Sequence, residues 1–352
     1  MSRFLARRFA SLDAYVPGEQ PADMEYIKLN TNESPFPPPN EIEVPAVQEL
    51  QSLNLYPNPD GTRLVKKLAE FYGVKPENVI IGNGSDELLA FAFLAFFEEG
   101  VVFPDITYGF YPVYAELYDV QYQEIPVSDD MTVNINEYMD IGKNIVLANP
   151  NAPTGVALGL DDIEVIVKSN PGHIVVIDEA YVDFGADSAV ELTKKYENLL
   201  VIHTYSKSRS MAGARLGYAI ASAPVIEDLN KMKYSFNPYN VNRLTQVIGE
   251  KAIDEEAYFV NKRREIIETR EYTEKRLKEL GFYLTDSKAN FLFGKHPDIG
   301  GFELYSRLKD MGILVRQWNK PRISDYVRIT IGSKDQMDAL ITATEEILMK
   351  KR

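Results

Sequence analysis

Residues 199–217 read Leu-Leu-Val-Ile-His-Thr-Tyr-Ser-Lys-Ser-Arg-Ser-Met-Ala-Gly-Ala-Arg-Leu-Gly. The opening run Leu199-Leu200-Val201-Ile202 is continuously apolar, the pattern of a strand covered on both faces. Lys207 follows at its carboxyl end, after the hydroxyls of Thr204 and Ser206, and Arg215 comes eight positions later. A lysine placed there is costly unless it is paired, neutralised or used covalently. Hydroxyls before it and an arginine after it are groups that hold a phosphate.

Outward from this stretch, the order strand, polar loop, helix recurs over residues 79–222. Its β-branched runs are Val79-Ile80-Ile81, Asn144-Ile145-Val146-Leu147, Ile174-Val175-Val176-Ile177 and Tyr218-Ala219-Ile220. Unbroken apolar runs alternating with helices predict an α/β domain with a mostly parallel sheet. Residues 242–280 read as one long helical stretch rich in Glu, Lys and Arg, stopped by Gly281. Beyond it, Phe282-Tyr283-Leu284, Phe291-Leu292-Phe293, Ile313-Leu314-Val315 and Val327-Arg328-Ile329 read as strands, with helices over 302–311 and 335–350. That is a smaller α+β lobe, completed by the N-terminal segment. The proline cluster Pro35-Phe36-Pro37-Pro38-Pro39 reads as an extended strap. The expected division is an arm and part of the small domain over 1–37, a large domain over 38–252 and a small domain over 253–352.

The 352 residues are 45% hydrophobic, ample for a large core, and carry a net charge of −14 from 38 basic and 52 acidic side chains. No broad positive field exists for nucleic acid or an anionic membrane surface, so an anionic ligand needs a local basic cluster. There are no cysteines, and His173, His203 and His296 are too far apart for zinc-type spacing, so no metal site is expected. Residues 1–8 lack the apolar stretch of a signal peptide, and residues 88–97 are too short to span a bilayer, so a cytoplasmic protein is expected.

The chemistry collects where the strands end. Val79-Ile80-Ile81 runs into Gly82-Asn83-Gly84-Ser85-Asp86-Glu87, and Ile145-Val146-Leu147 into residues 149–155, Asn-Pro-Asn-Ala-Pro-Thr-Gly. Val175-Val176-Ile177 runs into Asp178-Glu179-Ala180-Tyr181. In open parallel sheets ligands bind beyond the carboxyl ends of strands. Each motif alone has an ordinary reading. The glycine turn can be a loop whose Ser85 caps a helix, and it lacks both the third glycine of a dinucleotide fingerprint and the Gly-Lys-Ser of a P-loop. Asp178 alone is a satisfied strand-end aspartate. Asp178 and Glu179 point to opposite faces of a strand and cannot flank one bond as glycosidase carboxylates do. Tyr108 is one of 21 tyrosines, and Arg215 alone is a salt-bridge partner. Together they describe one site: Asp178 lies 29 residues before Lys207, one βαβ step, and phosphate-holding groups flank the lysine. A Schiff-base lysine beside a phosphate site points to pyridoxal phosphate. Asp178 then pairs with the pyridine nitrogen, and Tyr108 stacks on the ring.

At this point the chain resembles the fold-type-I pyridoxal-phosphate aminotransferases, and within them the histidinol-phosphate branch. The resemblance covers nearly the whole chain. It is carried by residues 28–35 (Lys-Leu-Asn-Thr-Asn-Glu-Ser-Pro), Tyr56-Pro57, residues 82–87 and 149–155, Asp178-Glu179-Ala180-Tyr181 and Ser206-Lys207. It continues through Arg215-Leu216-Gly217-Tyr218, Ala289-Asn290-Phe291 and Arg328-Ile329-Thr330-Ile331-Gly332. Residues 15–18 (Tyr-Val-Pro-Gly), Asn32-Glu33 and residues 235–239 (Ser-Phe-Asn-Pro-Tyr) narrow it to that branch. The resemblance implies a large domain with a mixed, mostly parallel sheet between helices and a smaller α+β domain.

It also implies a role for each position. Lys207 would bind pyridoxal 5'-phosphate covalently and then serve as the catalytic base. Asp178 would bind the pyridine nitrogen. Tyr181 and an asparagine of 149–155 would hydrogen-bond the ring's phenolate oxygen. Tyr108 would stack on the ring. Backbone groups of Ser85 and Asp86, with Thr204, Ser206 and Arg215, would hold the phosphate, joined by Tyr56 of a neighbouring subunit in a homodimer with shared sites. Arg328 would grip the substrate carboxylate, and Arg316, Tyr15 and Asn32 the phosphate end of a phosphorylated amine, with a 2-oxo acid as second substrate. The commoner pattern has asparagine directly before Pro-Thr-Gly, where this chain has Ala152. That leaves Asn149 or Asn151 to meet the phenolate, and Asn151 is preferred. Ser34 replaces a frequent asparagine, and Arg209, at a position often apolar, reads as a surface salt-bridge partner. Rival readings are an aromatic or broad-specificity aminotransferase, a pyridoxal-phosphate decarboxylase of a phosphorylated amino acid, and a non-catalytic ligand sensor on the same fold.

Overall fold

The computed structural model describes residues 2–351; Met1 and Arg352, the ends of the expected arm and small lobe, lie outside the described residues. The strands are β1 (Ile27–Lys28), β2 (Val79–Gly82), β3 (Val101–Pro104), β4 (Tyr122–Ile125), β5 (Asn144–Ala148), β6 (Val175–Asp178) and β7 (Leu199–Thr204). They continue as β8 (Gly217–Ala221), β9 (Tyr283–Leu284), β10 (Phe291–Lys295), β11 (Ile313–Leu314), β12 (Arg316–Gln317) and β13 (Val327–Thr330). The α-helices are α1 (Glu43–Glu49), α2 (Thr62–Tyr72), α3 (Ser85–Phe96), α4 (Phe110–Tyr118) and α5 (Leu160–Ser169). They are followed by α6 (Ala223–Phe236), α7 (Arg243–Asp254), α8 (Glu256–Glu279), α9 (Gly301–Asp310) and α10 (Lys334–Met349).

The large sheet has seven strands in the order β2-β8-β7-β6-β5-β3-β4. Only β8 runs against its neighbours, antiparallel to both β2 and β7. Its residues alternate between two cores. Val175, Ile177, Leu199 and Val201 face one, with Leu64, Leu68, Ile163 and Ile166 of α2 and α5. Val176, Leu200 and Ile202 face the other, with Leu88, Leu89 and Phe93 of α3 and Tyr111 of α4. Burial on both faces is why these strands are unbroken apolar runs.

Two strands of the large sheet were not expected. β3 is a short apolar run like the others, and β4 is an edge strand whose first three residues, Tyr122, Gln123 and Glu124, are exposed, so it lacks the buried pattern. The expected helix over 242–280 is two helices: the chain turns at Glu255 (φ −93°, ψ 24°) between α7 and α8. Gly281 does stop α8, with φ +97°. The expected boundary at 252/253 falls inside α7.

The smaller lobe is a sheet β12-β13-β10-β9, with β1 of the N-terminal segment pairing in parallel with β11 beside it. Its core gathers Phe291, Ile313, Ile329, Leu304 and Leu340, and reaches Ala152, Tyr181 and Phe184 from the large sheet's loops.

Register places the site. β5, β6 and β7 are parallel, with Ala148 opposite Asp178 and Asp178 opposite Ile202, so their carboxyl ends share one edge. Because β8 is reversed, its first residue Gly217 lies at that same edge, opposite both Thr204 and Gly82. A Cβ on Gly217 would stand 2.5 Å from the Gly84 carbonyl carbon and the Ser85 nitrogen. Only a glycine allows β8 to start directly against the first turn of α3.

Candidate active site

A cavity of 610 Å³ opens at this edge, between the large sheet and the smaller lobe. Of the residues expected at a site, Tyr15, Asn32, Ser85, Asp86, Tyr108, Asp178, Tyr181, Thr204, Ser206, Lys207, Arg215, Arg316 and Arg328 all line it. Asn151 and Tyr56 do not.

Lys207 extends from the turn after β7, and its Nζ donates to the Thr31 carbonyl at 3.1 Å. Burial, aided by the positive charge of Arg328, pushes the amine down from 10.5 to about 8, although Glu33 and Asp86 pull the other way. A lysine in that range is a nucleophile and a base near neutrality. At the end of β6 the Asp178 carboxylate accepts from the Tyr111 hydroxyl (3.1 Å) and the Ala180 amide (3.2 Å). Burial pushes it up to about 6, with Tyr111 opposing and Asp86 adding to the rise. A carboxylate so placed is suited to a buried cationic N–H partner.

The far end of the cavity is an anion cradle. α3 begins at Ser85, so the first N–H groups of the helix face outward without helical partners. Thr204 and Ser206 join through their hydroxyls at 3.0 Å. Arg215 takes a left-handed backbone (φ +53°) and sets its guanidinium beside Gly84, where a Cβ would meet it at 2.6 Å. The two acids of the first turn diverge. Glu87 folds back to accept from the Asn83 amide at 2.7 Å and from the Asn240 side chain. Asp86 stays at the cavity, bridging Arg215 (3.1 Å) and the Tyr108 hydroxyl (2.8 Å).

At the opposite end, Arg328 donates to the Asn30 carbonyl at 3.0 Å, and its buried Nε has no partner among the described residues. Arg316 is engaged: its two terminal nitrogens donate to the Pro17 (3.0 Å) and Val16 (2.8 Å) carbonyls, tying down the strap around Tyr15. Arg322 is paired with Asp105 at 2.7 Å. Tyr15 stacks on Phe110 with ring centroids 4.2 Å apart, closing the cavity beside Tyr108.

Three expectations need correction. Asn151 cannot serve the cavity: its Oδ1 accepts from Thr107 Oγ1 at 2.8 Å, and its Nδ2 donates to the Ile106 carbonyl at 2.8 Å and to Thr154 Oγ1 at 3.1 Å. Asn149 is locked to Leu158 in the same way, and Ala152 and Pro153 form the cavity wall. These side-chain amides are consumed in shaping the loop. Asn32 lines the cavity, but its amide contacts Tyr181 (2.9 Å) and Thr330 (3.0 Å) instead of pointing to an anion site. Arg209 is a salt-bridge partner, of Glu256 at 2.6 Å, but a buried one, ringed by Phe71, Tyr205 and Phe259. Tyr56 is 76% exposed and stacks on Tyr239 at 4.4 Å.

Trp318 was missed. It lines the cavity between the guanidinium carbons of Arg328 (5.2 Å) and Arg316 (5.6 Å). It is the only tryptophan in the chain and stands two residues after an arginine already singled out, a signal that could have found it. Tyr111, one helical turn after Tyr108, was legible only once Asp178 had a position.

The arrangement, a nucleophilic amine, a buried carboxylate, an anion cradle and a guanidinium whose Nε has no partner among the described residues, fits a phosphorylated pyridine aldehyde. Comparisons agree with it. Residues 24–343 match the family described as aminotransferase class I and II. A histidinol-phosphate aminotransferase of Brachyspira hyodysenteriae is 48% identical over 99% of both chains. One of Lactococcus lactis is 48% identical over 97% of this chain and 95% of its own. Among solved structures, the histidinol-phosphate aminotransferase from Clostridium acetobutylicum superposes with a TM-score of 0.86 at 22% identity, over 92% of this chain and 99% of that one. The Sinorhizobium meliloti enzyme, solved in complex with pyridoxal-5'-phosphate, gives 0.86 at 22% identity over 93% and 92%. With family motifs, near full-length similarity and fold in accord, the chain belongs to the class I and II aminotransferases.

Proposed function

We propose that this aminotransferase moves an amino group between L-histidinol phosphate and 2-oxoglutarate, with imidazole acetol phosphate as the keto partner, in histidine biosynthesis, using pyridoxal 5'-phosphate held at Lys207. The observation that carries the reading is the half-buried Lys207 amine sharing one cavity with Asp178 and the Arg215 cradle. The choice of substrate rests on 48% identity along the full chain to relatives named for that reaction.

When bound, the cofactor supplies an aldehyde for the substrate amine and a protonated ring that draws electrons from the Cα–H bond. Asp178 keeps a proton on the ring nitrogen, and Tyr111 and the Ala180 amide hold its carboxylate for that purpose. Ser85 and Asp86 N–H groups, Thr204, Ser206 and Arg215 would hold the phosphate. Tyr108 supports the ring, and Tyr181 donates to its phenolic oxygen. Lys207 Nζ, once released, removes the substrate's Cα proton, a step for which an amine near neutrality is suited. Arg328, with an unpartnered Nε, receives the carboxylate of glutamate. Tyr15 and Arg316, tied together through the strap, exclude water and face the phosphate of histidinol phosphate.

A homodimer completes the site in this reading. Val44, Val47, Leu50, Leu53, Leu55 and Tyr56 around α1 are each at least 49% exposed, an apolar face that suits burial against a second copy. From there Tyr56 would reach the neighbour's cradle. Sedimentation of the enzyme as a single 39.9 kDa chain would remove this part of the proposal.

Two further outcomes are expected. Purified enzyme should use histidinol phosphate with 2-oxoglutarate far better than phenylalanine, releasing no carbon dioxide. Arg328→Ala should raise the glutamate KM about tenfold or more, since hydrogen bonds to charged groups contribute roughly 1.5–3 kcal/mol. Preference for phenylalanine, or carbon dioxide release, would favour the rival readings, and an unmoved glutamate KM would strip Arg328 of its role. Cofactor capture by the cofactor-free protein should accelerate as pH rises and level off above about 8, because only the neutral Lys207 amine attacks. Stopped-flow absorbance reads this directly; a rate still climbing towards pH 10 would mean an ordinary lysine.

A further inference from the structure

Ala152 and Tyr181 both line the cavity; alanine offers no side-chain donor there, and tyrosine does. A phenol donates only in the direction its proton points. The structure contains a chain of hydrogen bonds that sets that direction.

It starts from a group that can only donate. The Asn32 backbone N–H reaches Thr330 Oγ1 at 3.0 Å, so that oxygen is an acceptor there. The Thr330 hydroxyl in turn donates to its other neighbour, Asn32 Oδ1, also at 3.0 Å. With Oδ1 facing Thr330, Nδ2 must face Tyr181, 2.9 Å from its Oη. An amide nitrogen only donates, so Tyr181 Oη accepts and its own proton points elsewhere. The side of Tyr181 left open is the cavity it lines. Asn32 is 1% exposed and Thr330 2%, so water does not compete. Asn32 also holds a left-handed backbone (φ +56°), which asparagine tolerates better than most residues, and its carbonyl accepts from Asn290 Nδ2 at 3.1 Å. The charged groups around Tyr181 are Lys207, with Nζ 5.8 Å from the ring centroid, together with Arg328, Asp178 and Asp86.

We propose that Asn32 and Thr330 are positioning residues: they form a one-way hydrogen-bond chain that turns the Tyr181 proton into the cavity, where it donates to the phenolic oxygen of the cofactor. This rests on the reading that the cofactor lies with its phenolic oxygen towards Tyr181. Donation to that oxygen in its charged form lowers the pKa of the lysine-bound chromophore.

The test is a spectrophotometric pH titration of the holoenzyme chromophore, with no turnover involved. Thr330→Val breaks the chain without adding charge, and should raise the chromophore pKa by about one pH unit, the scale of one lost hydrogen bond to a charged group. Thr330→Ser, which keeps the hydroxyl, should restore the wild-type value. Asn32→Asp places an acceptor against Tyr181, turns its proton away and should raise the pKa as well; it carries the test if Thr330→Val does not fold. In a Tyr181→Phe background, Thr330→Val should add no further rise. A chromophore pKa unmoved by these changes, or moved equally without Tyr181, overturns the proposal. If Tyr181→Phe alone leaves the pKa unchanged, the cofactor orientation fails instead.

Discussion

The site depends on the desolvation of one amine. Lys207 is half-buried at the cavity, its Nζ has one hydrogen-bond partner among the described residues, the Thr31 carbonyl, and desolvating a cation in such a place favours its neutral form. Arg328 adds to the effect, while Glu33 and Asp86 limit it. A lysine held this way is unsuited to a purely structural role, because a structural ion pair would place a carboxylate in contact with it. Low basicity of this kind suits a nitrogen to attack a carbonyl and to carry a proton.

The reversal of β8 gives that amine its surroundings. Were β8 parallel to β7, its first residues would lie at the opposite edge, far from Thr204 and Ser85. Reversed, it brings Gly217 against the α3 turn and Arg215 beside Gly84. Helix N-terminus, two hydroxyls and a guanidinium thus converge from three separate segments. Asp178 comes from β6, the strand beside β7. The smaller lobe closes the opposite side with Arg328, Arg316 and Trp318, and β1 ties the N-terminal strap to it through β11.

Much of this was legible in the chain itself. The strands buried on both faces announce themselves as unbroken apolar runs, and the residues at their carboxyl ends name the chemistry. What escaped did so for physical reasons. β4 is an exposed edge strand with no apolar pattern to read. The break at Glu255 is a change of two dihedral angles within a sequence of good helix formers. Asn151 and Asn32 show the limit most plainly. Both are asparagines beside the cavity, but one spends its amide on its own loop and the other on Tyr181, and spacing alone does not say which way a side-chain amide faces. Arg209 carried an ordinary salt bridge into the interior, where three aromatic rings replace solvent. The unpartnered Nε of Arg328, in contrast, follows from geometry that only the assembled lobe provides.

The central claim is that Lys207 is the residue to which pyridoxal phosphate is joined. Borohydride reduction of the purified enzyme, followed by proteolysis and mass spectrometry, tests it most directly. A single pyridoxyl adduct on the peptide containing Lys207, with loss of the visible absorbance band, is the result the account predicts. An adduct on any other lysine, or an enzyme that is active yet carries no reducible cofactor, would contradict it.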